Sequence, residues 1–153
     1  MLTRLENFIS NINEVSLYWH RMTAVVMKKH GLRGSTASYF IQLYNHPEGL
    51  PAASLCKLCG KDKGDVSREI ANLEKLGLVE RASSEKRGYR APITLTESGK
   101  KVAREVTRTA AAAMLYVVKP LEDEEAEQFR SAFDKIAANM RTLSEEQFEE
   151  HYL

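Results

Sequence analysis

Between Asp62 and Gly77 the chain reads DKGDVSREIANLEKLG, and few backbone conformations fit that run. Asp62 belongs to the residue class that caps a helix by accepting a backbone N–H from the first turn. Val66, Ile70, Leu73 and Gly77 recur at i, i+4, i+7 and i+11, which predicts one buried stripe. At about 100° per residue, Gly64, Arg68, Ala71 and Lys75 face the opposite way, with Ser67 and Asn72 on the flanks. Gly77 then stops the helix, because glycine enters the left-handed conformation freely. Upstream, Pro51 opens a shorter helix, AASLCKLC, where its missing N–H costs nothing, and a Gly–Lys turn joins the two helices. Downstream, two extended runs, LVERA (78–82) and APITLT (91–96), flank the charged tip SSEKRGYR. A helix, a turn, a second helix with a basic outer face and then a basic hairpin predict a winged helix-turn-helix. Its second helix would suit the DNA major groove and its hairpin the neighbouring backbone.

The stretch DKGDVSREIANLEKLGLVER, followed by LTESGK, resembles the multiple-antibiotic-resistance regulator (MarR) family of dimeric transcription regulators. The resemblance is specific from Asp62 to Gly99 and extends over nearly the whole chain, because helices are predicted on both sides. It implies a mainly α fold with a small β-hairpin wing, as one domain over 1–153. Residues 31–99 would form the winged helix-turn-helix lobe, and 1–30 with 100–153 a region of long dimerisation helices. It also implies a homodimer, most often a repressor, on a pseudo-palindromic operator. A phenolic or other amphipathic effector would bind between the first helix and the DNA-binding lobe. Two positions depart from the family pattern. KRGYR (86–90) stands where an acidic-then-basic pair is usual near the wing tip, and Asp65 puts a carboxylate where small hydroxyl residues are more usual.

Arg68, central on the outer face, is the foremost candidate for reading DNA. A guanidinium can pair with O6 and N7 of guanine or grip a phosphate. Ser67 and Asn72 can hydrogen-bond base edges or phosphates, while Lys75 suits the backbone, and Lys63 joins the same set. Asp65 has two readings: acceptor for cytosine N4, or a charge favoured by the helix dipole, the second being preferred. In the wing, Lys86, Arg87 and Arg90 are phosphate or minor-groove candidates.

Elsewhere, Tyr18, Trp19 and Met22 on the first helix could line an effector cleft, although Trp19 reads first as core packing. Cys56 and Cys59 form a C-x-x-C. With no second such pair and no H-x-x-x-H, a zinc site is not supported. Packing of two small apolar side chains is the first reading and a redox pair the second. No metal or other cofactor is expected, and no Gly-rich phosphate loop or Ser/His/Asp set points to an enzyme.

The chain has 153 residues, enough for a core, and a net charge of +1. The charge is unevenly placed. Residues 57–90 hold nine Lys/Arg against six Asp/Glu, whereas 120–153 hold three against ten. Basic charge therefore sits in the expected DNA-facing part. No apolar run approaches a membrane span and the N-terminus lacks a signal-peptide core, so a cytoplasmic protein with no membrane partner is expected.

Outside the lobe, Leu5, Phe8, Ile9, Ile12, Val15, Trp19, Met22 and Val26 recur at threes and fours over 2–29. Phe129, Phe133, Ile136, Met140 and Leu143 do so near the other end. Two striped helices beyond the needs of one winged-helix unit predict a twofold dimer. The alternative function, from another class, is a winged-helix module whose basic face binds an acidic protein partner.

Overall fold

The computed structural model describes residues 2–82 and 91–143. Lys86, Arg87, Arg90 and the Leu5 side chain lie outside what is described. The elements run α1 (Leu2–Lys29), a single 3₁₀ turn (Gly34–Thr36), α2 (Ala37–Asn45), α3 (Ala52–Cys59), α4 (Lys63–Lys75), β1 (Val79–Arg81), β2 (Ile93–Leu95), α5 (Glu97–Val118) and α6 (Asp123–Thr142). By contacts the chain divides into two compact units, Met1–Ala112 and Ala113–Leu153. Among the described residues, no helix is long and apolar enough to cross a membrane.

In the first unit the core forms where α4 lays its inner face on α2, α3 and the hairpin. Val66, Ile70 and Leu73 are fully buried with Phe40, Leu43, Leu55 and Ile93. Each such side chain contributes roughly 1.5–3 kcal/mol through apolar burial. Gly77 is not part of the stripe. It lies beyond the helix end, exposed, with φ +67°, and its N–H donates to Glu74 O. The fourth buried position on that face is Glu69. On α1 only the C-terminal turns are covered: Thr23, Val26 and Met27 are buried, whereas Ile9 and Val15 of the expected stripe are exposed. Phe8, Ile12, Trp19 and Met22 are half-buried.

The two strands pair antiparallel, Val79 with Leu95 and Arg81 with Ile93, over a shorter length than the two extended runs suggested. Leu50 and Ile93 exchange both backbone hydrogen bonds, at 3.0 and 2.9 Å, so the α2–α3 loop is stitched to the hairpin as well. Thr96 caps α5: its hydroxyl accepts from Gly99 N and donates to Gly77 O. Gly99 is required here by space. A Cβ at that position would fall 1.9 Å from Leu78 O. The first turn of α5 thus presses directly on the turn between α4 and β1.

The second unit is the end of α5 and all of α6. Glu122 and Glu125 close a capping box at the start of α6, and Phe129 stacks on Phe133 with ring centroids 5.5 Å apart. Phe129, Phe133, Ile136, Met140 and Leu143 are all exposed, as are Met114 to Val117 on α5.

Candidate nucleic-acid interface

Asp62 begins α4 as the sequence predicts. Its backbone is extended, and its side chain accepts the Asp65 N–H at 2.8 Å. That bond holds the Asp62 carboxyl below the usual carboxylate range, with the Arg68 charge adding a smaller push. Lys63, Asp65, Ser67, Arg68, Asn72 and Lys75 are all exposed. Arg68 and Lys75 point away from Val66, Ile70 and Leu73, with Asp65, Ser67 and Asn72 on the flanks. Lys63, three residues before Val66, lies at the helix start on the side of the buried stripe. With Lys63 beside it, five of the six candidates therefore share one solvent-facing surface of α4. Within it, the Arg68 guanidinium donates to the Asp65 carboxylate one turn back. Neither the dipole reading nor the cytosine reading of Asp65 anticipated that pairing.

Beside this surface, Arg33, Lys61 and Arg68 meet Asp65, Glu69 and Tyr39 around a polar hollow of about 220 Å³. Arg33, in the turn after α1, donates to the buried Glu69. Burial pushes the Tyr39 phenol up to about 12, with nearby carboxylates and thiols adding to the effect. The sequence reading missed Arg33, Lys61 and Glu69. One signal was available: Glu69 lies three residues after Val66 on the apolar face, and a carboxylate there requires a partner. At the far end of α4, Glu74 Oε1 accepts from Arg81 Nε at 3.0 Å, which ties the helix to the first strand of the wing.

A capped helix with this outer face, a short helix before it and a two-stranded hairpin after it make a winged helix-turn-helix. Residues 30–88 match the family model described as the MarR family. Over that segment, 59 of the 153 residues, the chain is similar to the MarR family. The solved proteins similar to it are described as transcription regulators, two of them in complex with DNA.

Solved MarR structures share the fold well beyond the matched segment. A MarR-family regulator from Listeria monocytogenes, solved with a 26-mer DNA, is 19% identical with a TM-score of 0.78, covering 86% of this chain and 87% of that one. A MarR regulator from Methanosarcina mazei is 20% identical with a TM-score of 0.78, covering 91% and 92%. The MepR–DNA complex of Staphylococcus aureus is 21% identical with a TM-score of 0.73, covering 86% and 97%. At these identities the likeness is one of fold. No curated protein matches the chain by sequence.

Two further groups of side chains lie outside this surface. Cys56 and Cys59 are free, half-buried and packed against the core. Burial pushes the Cys59 thiol up, opposed in part by a hydrogen bond with Ser38, which is the opposite direction from a reactive thiolate. Among the described residues no His/Cys/Asp/Glu cluster could hold a metal.

Tyr18 is exposed, with the Arg21 guanidinium 5.5 Å from its ring centroid, whereas Trp19 and Met22 are half-buried. A hollow of about 570 Å³ lies between α2 and α5, lined by Tyr44, Arg104, Glu105, Thr107, Arg108 and Ala111; Tyr18, Trp19 and Met22 do not line it. The Thr107 hydroxyl there is buried without a hydrogen-bond partner. Glu105 also accepts from His30 at 2.8 Å, a bond that holds its carboxyl low and joins the end of α1 to α5.

Proposed function

We propose that this chain is a cytoplasmic homodimeric repressor of the MarR family on a pseudo-palindromic operator, with occupancy altered by a small amphipathic ligand. One observation carries the reading. The polar and basic outer face of α4 occurs in a chain whose terminal helices leave rows of large apolar side chains in water. Val15, Tyr18 and Val25 on α1, and Phe129, Ile136 and Met140 on α6, are each more than two-fifths exposed. Apolar surface of that extent is expensive in water, and a second copy related by a twofold axis covers it without any other partner. The same axis presents two α4 helices, which suits half-sites about 34–36 Å apart in successive major grooves. The DNA-bound structures from Listeria monocytogenes and Staphylococcus aureus support duplex DNA as the target. Within one promoter, a dimer seated in this way excludes polymerase. For the ligand, the hollow between α2 and α5 offers an aromatic wall, two arginines and one unpartnered hydroxyl. The half-buried Cys59 thiol, which its surroundings push up rather than down, favours a ligand over an oxidant as the signal.

Sedimentation of the full-length chain at micromolar concentration is expected to give twice the chain mass. Duplexes enriched from a randomised pool are expected to contain an inverted repeat, bound more weakly as salt rises. A monomer that retains selective duplex binding would remove the dimer from this reading. Binding that is indifferent to sequence would remove the operator.

A further inference from the structure

Arg68 does not extend freely from the outer face of α4. Its guanidinium folds back over the first turn of the helix and donates to Asp65, with the Asp62 carboxylate close enough to feel its charge. Gly64 completes this seat. A Cβ at Gly64 would lie 3.3 Å from Arg68 Nη1 and 3.1 Å from Asp62 Oδ1. Helix electrostatics alone disfavour a cation at this end, where the positive pole of the dipole lies. Two carboxylates and one missing side chain make the placement tenable.

We propose that Asp65 is a specificity-determining positioning residue, which holds the Arg68 guanidinium off DNA phosphates and yields it only to a base edge with two acceptors. The proposal rests on α4 being the helix that reads DNA. An exposed pair of this kind is worth up to about fivefold in an equilibrium. A bidentate guanine contact is worth roughly five- to a hundredfold, so guanine O6 and N7 take the guanidinium from Asp65. A single phosphate offers no comparable gain, and the Asp65 carboxylate is itself repelled by phosphates. On random sequence Arg68 therefore stays seated. Non-specific binding is held down by an element that acts against the wrong partner.

The test uses the full-length chain, a duplex enriched by it from a randomised pool, and a scrambled version of that duplex, titrated at several salt concentrations. Asp65→Asn should raise affinity for the scrambled duplex by about two- to fivefold, the strength of the lost pair. It should also steepen the log–log salt slope by about one, as Arg68 reaches a phosphate. Affinity for the enriched duplex should rise less, so the ratio between the two duplexes falls. In an Arg68→Ala background the same substitution should leave the slope unchanged. Parallel weakening of both duplexes by Asp65→Asn, or an equal slope change without Arg68, overturns the proposal. If Arg68→Ala reduces selectivity while Asp65→Asn changes nothing, the proposal alone falls and α4 stays the reading helix. If the pool yields no enriched sequence, the DNA-reading role falls and takes the proposal with it.

Discussion

Replacing Arg33 should destabilise the fold more than neutralising its partner Glu69, even though Arg33 is the more exposed of the two. Their side chains are 73% and 7% exposed, so the pair has one wet end and one dry end. Arg33→Ala strands a carboxylate on the inner face of α4 among Val66, Ile70 and Leu73. Leaving a buried acceptor without its donor costs about 1–3 kcal/mol. The adjoining hollow admits some water, which places the cost in the lower half of that range. Glu69→Gln leaves a guanidinium in water and an amide oxygen that still accepts from it, so its cost stays below about 1 kcal/mol. The difference of about 1 kcal/mol is roughly fivefold in the folding equilibrium. Combining the two substitutions should recover part of the Arg33→Ala loss, because no charge is then left in the interior. Urea unfolding midpoints at one fixed protein concentration would measure all three variants. Equal costs for the two single variants, or simple addition in the double variant, would show that the carboxylate is not desolvated and refute the reasoning.

Arg68→Ala should cost about 1–3 kcal/mol on a selected duplex and relax discrimination at one base pair of each half-site; equal losses on selected and scrambled duplexes would make Arg68 a phosphate clamp instead. Gly99→Ala should destabilise by at least about 2 kcal/mol despite the better helix propensity of alanine, because backbone must move to admit the methyl group. Thermal unfolding within a degree or two of the parent would contradict that. The lowered Asp62 carboxyl makes its cap an acid-sensitive element. A depressed folded-state pKa gives stability that is present above the unfolded aspartate value and lost as pH falls through the folded one. Asp62→Asn, which keeps an acceptor without a titrating group, should therefore flatten the acid limb of the stability profile, as followed by unfolding at stepped pH. An unchanged limb would mean that the cap does not carry this dependence.

Local signals explain why α4 was legible. A cap, a stripe and a stop all lie within Asp62 to Gly77, and each acts on residues a few positions away. Thr96 and Gly99 were legible through the family motif, although their reason, contact with Gly77 and Leu78, is visible only in three dimensions. Arg33 and Glu69 are 36 positions apart, and no periodicity links them. The hollow between α2 and α5 escaped for the same reason, since Tyr44 and Thr107 belong to separate helices. On α1 and α6 the apolar recurrence was real, yet Ile9, Val15 and Phe129 are exposed. Periodicity reports that a helix has an apolar side, and it carries no information about what covers that side.

The contact of Gly99 with Leu78 turns α5 into a lever. Thr96 N donates to Leu78 O at 3.1 Å, its hydroxyl donates to Gly77 O at 2.7 Å, and Leu78 N donates to Leu73 O at 3.0 Å. The end of α4, the start of β1 and the first turn of α5 are thereby pinned at one fulcrum. From 97 to 112 the arm of this lever is about 24 Å long, at about 1.5 Å per residue. Moving its far end sideways by about 1 Å about that joint would tilt the arm by roughly 2°. Close packing at such a pivot couples the direction of α5 to that of α4, so the orientation of α4 is set in part from a distance.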